Sequence, residues 1–301
     1  MTPEILAVNG EINQLEDASQ LRSFVPGKPG LSATLANVAL MRQTFQGWIW
    51  PSVLAKTSAV LAHDHWLLRR ARRKLERHCI ILRTRKGDVR IKAPLLDFWP
   101  AFEIFGQREY DFSFIRWEGV NRVVDVGAHV GAFCLWVSQR ADCVVFAIEP
   151  NPIATSLFAE NTAGLRDSVR LKQVAVAGSV GQRMFYDLGS PSTSSLLGEP
   201  SRSIGFQVDT LTLDDVIDES GFQQVDLLKM DIEGAENEVF RTVTDQTLQR
   251  IRVAMVECHP LAGADVGTVA RRLARSGMRV ACLERKAPLV VGWRHSEETA
   301  T

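Results

Sequence analysis

Five ionisable residues stand where apolar runs of this chain give way to turns: Asp125, Glu149, Asp231, Glu257 and His259. Asp125 lies inside RVVDVGAHVGAF, where a run of valines passes through Gly127 and Gly131 into a second apolar run. Glycine at such a junction lets the backbone turn sharply and approach a ligand that a side chain would keep away. The spacing is GxxxG, not the GxGxxG of dinucleotide enzymes. A diphosphate disfavours a neighbouring carboxylate, whereas a ligand bearing an ammonium and a sulfonium is attracted by one. That chemistry belongs to S-adenosylmethionine. Glu149 closes the next apolar run, 18 residues beyond Gly131, where a carboxylate can accept hydrogen bonds from both ribose hydroxyls and repel a 2′-phosphate. The bland reading makes Asp125 and Glu149 solvated strand ends.

The elements that must position these groups alternate. Strands are expected at residues 123–126, 144–148, 169–176, 225–230 and 253–256, with the end of the third beside the adenine. Asn151 and Pro152 suit the N-cap and first turn of a helix running to about Gly164. Thr212 and Asp215 form a capping box ahead of a helix ending near Gly221. Glu233, Glu236 and Glu238 fall early in a further helix, where carboxylates stabilise the positive end of the dipole. A helix from Val266 to Ser276 is followed by two strands, 278–283 and 289–293, joined too closely to be anything but antiparallel. Residues 182–188 and 205–211 read as a hairpin insertion around a Ser- and Gly-rich loop, either a lid or a plain surface loop. Four ionisable strand ends on one edge of a parallel sheet make a convergent ligand site.

Upstream, residues 1–30 read as a loose polar arm and 31–79 as helical. Residues 80–91 form a hairpin turning at Gly87, and seven aromatics between Phe98 and Phe114 belong mostly to the core. The segment from Trp66 to Lys92 carries eleven Lys and Arg against Glu76 and Asp88. It is either an anion-facing surface, for a phosphorylated or acidic group, or the solvated face of an amphipathic helix.

The chain has 301 residues, 46% of them hydrophobic, zero net charge and five cysteines without ligand spacing. It can bury a large core, offers no bulk charge to name a partner, and lacks the pattern of a disulfide framework or zinc site. With no basic-then-apolar start and no run of 18 apolar residues, it is expected to be soluble and cytoplasmic. Nucleic acid is not the expected partner.

Taken in order, VVDVGAHVGAF, IEPNP, VDTLTLDDV, LLKMDIEGAE and VECHP resemble the FkbM family of S-adenosylmethionine-dependent methyltransferases over residues 80–293. The resemblance implies an α/β class I methyltransferase fold, a Rossmann-like, mostly parallel seven-stranded sheet with an antiparallel last strand, at 80–301, preceded by a helical, basic extension at 1–79. It also implies methylation of a hydroxyl on a sugar, glycoconjugate or polyketide-type acceptor. Asp125, Gly127, His129 and Gly131 would form the methionine-side loop, Glu149 and Pro150 the ribose side, and Asp231 would stand near the methyl group. His129 replaces the Asn common in the family.

An alcohol needs a base or a metal to become nucleophilic. Asp231 and His259 are the candidate catalytic residues, Asp231 with Glu233 or Glu257 could instead hold a cation, and the expected mechanism uses no metal. Activity lost to a chelator and restored by magnesium would count against that expectation. Two other classes compete: a non-catalytic protein binding a partner through the basic helix, and a nucleotide-dependent oxidoreductase.

Overall fold

In the computed structural model the described residues are 31–46, 79–85, 87, 89–94, 97–187, 194–197, 204–259, 265–285 and 287–294. In chain order the elements are α1 (Leu31–Thr44), β1 (Phe45–Gln46), β2 (Cys79–Thr84), β3 (Arg90–Pro94), α2 (Trp99–Phe105), β4 (Arg122–Val126), α3 (Ala132–Val137), β5 (Val144–Ile148) and α4 (Pro152–Asn161). Then follow β6 (Val169–Lys172), β7 (Ala175–Val176), β8 (Gly181–Asp187), β9 (Ile204–Leu211), α5 (Leu213–Ser220), β10 (Val225–Met230), α6 (Glu236–Thr242), α7 (Asp245–Gln249), β11 (Ile251–Glu257), α8 (Val266–Arg275), β12 (Arg279–Leu283) and β13 (Leu289–Trp293).

Seven strands form the central sheet in the order β12-β13-β11-β10-β4-β5-β6. Pairings among β6, β5, β4, β10 and β11 are parallel, and β13 runs antiparallel to both its neighbours. The strands carry apolar residues on both faces because both are covered. Alternate residues separate cleanly. Val123, Val145, Leu227 and Met255 pack with Phe133, Trp136 and Phe158 of α3 and α4. Val124, Phe146, Leu228 and Ala254 pack with Ile217, Phe240 and Leu273 of α5, α6 and α8. This is a doubly wound α/β sheet whose order reverses between β4 and β10, the place where such sheets bind ligands.

Local signals behave as expected at the helix ends. Asn151 Oδ1 accepts the backbone N–H groups of Ile153 and Ala154 at the start of α4. Thr212 and Asp215 close the capping box of α5, which stops at left-handed Gly221. β2 and β3 pair as the expected hairpin, and β1 adds a third strand, so Phe45, Gln46 and Cys79, expected within a helical stretch, are strand because they pair across this small sheet. Met41 and Phe45 reach the same apolar cluster as the central sheet. Phe98, Phe102, Tyr110 and Phe112 are fully buried, while Trp99, Phe105 and Phe114 pack partly exposed. Most of the stretch expected to be helical, residues 47–78 with the basic cluster from Arg69 to Arg77, the arm 1–30 and most of the loop 188–203 lie outside the described residues. Of the basic residues beyond that cluster, Lys92 pairs with Glu160 at 2.7 Å and Arg85 Nε donates to the Arg42 carbonyl at 2.7 Å.

Two boundaries differ from expectation. The third strand does not run through 169–176: β6 ends at Lys172, and β7 leaves the central sheet to pair in parallel with β9 beside the β8–β9 hairpin. Val174 and Val176 are thereby drawn into the core under α5, so apolar content alone joined two strands of different sheets. Glu233 precedes α6, which begins at Glu236, and sits at φ 56° in a left-handed turn. Among the described residues no helix is long and apolar enough to cross a membrane.

Candidate functional site

The glycine turn after β4 is held from below. Gly127 has φ 78°, and a Cβ there would lie 1.7 Å from the Asp231 carbonyl oxygen. The turn of β4 and the end of β10 thus approach more closely than any side chain permits. Gly131, at φ 86°, is the left-handed N-cap of α3. His129, between them, also takes a positive φ of 50°, and its Nε2 lies 2.8 Å from Asp97 Oδ2. Burial opposes charging of this imidazole, but the Asp97 carboxylate outweighs it and raises the His129 pKa. Asn161, at the end of α4, donates to the Val130 carbonyl at 2.8 Å and exchanges hydrogen bonds with the backbone of Lys92 in β3. The turn is therefore tied to the N-terminal hairpin.

Asp125 is wholly buried beneath the turn. In register across from it on β10 stands Lys229, whose Nζ lies 3.3 Å from Asp125 Oδ1, 2.7 Å from the Gly127 carbonyl oxygen and 3.9 Å from Asp231 Oδ2. Burial raises the Asp125 pKa and Lys229 pulls against that rise. Lys229 was not singled out in the sequence. A lysine in VDLLKM, an otherwise apolar central strand, requires a buried carboxylate partner, and that was the signal available. Glu149 Oε2 accepts the N–H of His129 at 2.8 Å, and its Oε1 accepts the N–H of Asn151 at 2.8 Å. Pro150 is buried beside it.

Across the switch point, β10 and β11 deliver a second group. His259 Nδ1 lies 3.0 Å from Glu236 Oε1, and its Nε2 lies 3.4 Å from Glu233 Oε2 and 3.8 Å from Asp231 Oδ1. Glu236 is no mere dipole partner: it is fully buried and also accepts the N–H groups of Ile232 and Gly234. Glu238 does fit the surface reading, paired with Arg183 at 2.8 Å. Burial disfavours a charged His259, but the hydrogen bond to Glu236 and the charges of Asp231 and Glu233 prevail and raise its pKa to about 10. Burial and the Asp231 charge push Glu233 up to about 8, and burial with Asp231 and Glu109 does the same to Glu257.

Two further carboxylates, Glu103 and Glu109, complete this half. Trp99 Nε1 donates to Glu103 Oε1 at 2.6 Å, Arg285 pairs with Glu109, and Tyr110 Oη donates to Glu257 Oε2 at 3.4 Å. They were passed over because the 98–114 segment was read for its aromatics; a glutamate between two such residues was the available signal.

The structure thus brings Asp125, Gly127, His129, Gly131, Glu149 and Pro150 to one side of the switch point and Asp231, Glu257 and His259 to the other. Three buried polar atoms on the glycine-turn side, Asp125 Oδ1, His129 Nδ1 and Asn151 Nδ2, have no hydrogen-bond partner. Each such group costs about 1–3 kcal/mol, so their clustering suits a polar ligand such as an adenosyl amino acid.

A sequence model of the methyltransferase FkbM domain matches residues 125–280. The chain is 28% identical over 221 residues to the 31-O-demethyl-FK506 methyltransferase FkbM of Streptomyces tacrolimicus, covering 63% of this chain and 84% of that one. It is 27% identical over 175 residues to the hexuronic acid methyltransferase AglP of Haloferax volcanii, covering 58% and 70%. Among solved structures, the METTL16 methyltransferase domain in one crystal form has a TM-score of 0.41 at 12% identity, over 89% of this chain and 93% of that one.

Proposed function

The chain belongs to the methyltransferase FkbM domain family, and from that premise we propose that it methylates a hydroxyl oxygen of a small sugar- or polyketide-type acceptor. The two relatives are named for 31-O-demethyl-FK506 and for hexuronic acid, and the first name itself places the methyl group on an oxygen. S-adenosylmethionine, when bound, supplies a methyl carbon whose bond to sulfur breaks, with the electron pair leaving on sulfur, as the acceptor oxygen bonds to it.

The observation that carries this reading is the meeting of the glycine turn with Asp231 at the switch point, Gly127 against the Asp231 carbonyl. It sets a cofactor loop and an acid–base group side by side. Glu149 retains free lone pairs on both oxygens for ribose hydroxyls, and the backbone N–H bonds it accepts fix its orientation. Asp125 is already paired with Lys229, so its part is to hold Lys229, and through it the Gly127 carbonyl, in place. Positioning of the reacting atoms supplies much of the acceleration.

Asp231 takes the hydroxyl proton. His259, with its pKa near 10, carries a proton of its own at neutrality and orients groups instead of accepting from the alcohol. An oxidoreductase would need a dinucleotide, and the GxxxG turn lacks that spacing.

Calorimetric titration with S-adenosylmethionine, S-adenosylhomocysteine and NAD, on wild type and Glu149→Ala, tests the reading. Selective binding of the two adenosyl ligands, weakened by the substitution, is expected. A folded sample that binds neither would overturn it in favour of a partner-binding protein.

A further inference from the structure

Resting on the methyl-transfer reading, we propose that Asp231, Glu233 and His259 form a divalent-cation site of the Mg²⁺ or Mn²⁺ kind, which holds the acceptor hydroxyl beside the glycine turn. This reverses the metal-free mechanism expected from the sequence. One ligand atom from each of the three residues lies within 4.8 Å of the others, a span that a single ion with bonds of about 2.1 Å can close with small rotamer adjustments.

The imidazole is oriented for the task. Glu236 Oε1, fixed by the Ile232 and Gly234 backbone N–H groups, lies 3.0 Å from His259 Nδ1. A carboxylate there holds the proton on Nδ1, so a cation entering between Asp231 and Glu233 displaces the Nε2 proton and takes up that lone pair. Carboxylate–histidine pairs of this kind orient metal-binding imidazoles generally.

A second observation points to the same place. Asp231 Oδ1 is shielded from solvent with no hydrogen-bond partner, and so is Glu236 Oε2. Around them Glu103, Glu109 and Glu257 add carboxylates, against which stand Lys229 and Arg285. These carboxyl groups crowd one another, and a dication would offset the repulsion that now keeps protons on them.

The two carboxylates suit Mg²⁺ or Mn²⁺, which keep water in their remaining positions, and the imidazole favours Mn²⁺ of the two. Asp231 and Glu233 are each about a third exposed, at 31% and 30%, so water or an acceptor hydroxyl can enter. A hydroxyl bound there has its pKa lowered by the ion, and its proton leaves through Asp231 Oδ2, the oxygen nearer Lys229.

The test is titration of Mn²⁺ into the full chain, followed by the paramagnetic resonance of free Mn²⁺, with S-adenosylhomocysteine calorimetry in parallel. Wild type is expected to bind one Mn²⁺ that Mg²⁺ displaces. Glu233→Gln and His259→Ala should weaken it at least tenfold, and Glu236→Gln by about 10–100-fold through the ligand it orients. S-adenosylhomocysteine affinity should stay within about threefold of wild type in each. If His259→Ala or Glu236→Gln fails to fold, Glu233→Gln, on a partly exposed turn, decides alone. Chelation should abolish methylation, and Mg²⁺ or Mn²⁺ should restore it. No Mn²⁺ binding by a sample that binds S-adenosylhomocysteine would overturn the site, leaving His259 an ion-paired imidazolium and the methyl-transfer reading intact. Mn²⁺ binding unchanged in Glu233→Gln would also overturn it. Mn²⁺ binding without S-adenosylhomocysteine binding would keep the cation site and sink the methyl-transfer reading.

Discussion

The two sides of the switch point handle buried charge differently. On the β4–β5 side each acid has its donors: Asp125 has Lys229, Asp97 has His129, and Glu149 has two backbone N–H groups. On the β10–β11 side Glu103, Glu109, Glu233 and Glu257 crowd one another, and burial followed by mutual repulsion raises their pKa values, with Arg285 and His259 opposing only in part. A region whose acids already have donors is ready for a ligand that brings hydroxyls. A region whose acids crowd one another is ready for a proton or a cation, which is what activating an alcohol requires.

Substitutions on each side should therefore fail differently. Asp231→Ala, on the acidic side, is expected to lower methyl transfer by about 10³-fold or more while S-adenosylhomocysteine affinity stays within a few-fold; comparable losses of both would erase the distinction. Gly127→Ala acts on the seam. Its Cβ would collide with the Asp231 carbonyl from a left-handed backbone, and a loss of about 3 kcal/mol or more in urea unfolding is expected. Glu149→Ala, on the balanced side, should weaken S-adenosylhomocysteine binding by about 10–100-fold, as loss of hydrogen bonds to a charged group implies, with kcat at saturating cofactor changed less than KM.

The smallest effect is on pH. Burial, then the charge of Glu257, raises Glu103 to about 8, against the Trp99 hydrogen bond and Arg285, with Asp231 adding to the rise. Its folded pKa lies above the unfolded value, so the folded state holds the extra proton between about pH 4.5 and 8. Stability from this group is full below pH 4.5 and falls as pH rises through 8. Between pH 5 and 9 the Tm should drop by several degrees, on the order expected for a shift of this size, and Glu103→Gln should flatten that slope. An equal slope in the variant would remove Glu103 from the acidic group.

What could be read from the sequence was what is encoded locally. The Gly127–Gly131 turn, the Thr212–Asp215 box and the hairpin around Gly87 depend on residues a few positions apart, and all three formed as expected. Lys229 escaped notice because its meaning comes from register: it faces Asp125 only once β10 lies beside β4. Glu236 looked like a helix-start carboxylate until the fold brought His259 to it across 23 residues. The split of the expected third strand into β6 and β7 likewise rests on a partner, β9, that apolar content near residue 175 does not announce.

Asn161 gives the molecule a boundary in folding time. Its amide joins α4 to β3 across 69 residues and to the glycine turn across 31. Contacts so distant in sequence form late, after loop-closure entropy has been overcome. The glycine turn should therefore acquire its final shape only when the N-terminal hairpin docks. A chain trimmed to begin at residue 125, where the family match starts, would leave the side-chain bonds of Asn161 to Lys92 unmade. In hydrogen-exchange terms, the amides of Gly127 and Ala128, which donate to Ile148 of β5, should protect with β5, and the Lys92 amide, which donates to Asn161, only once the hairpin has docked.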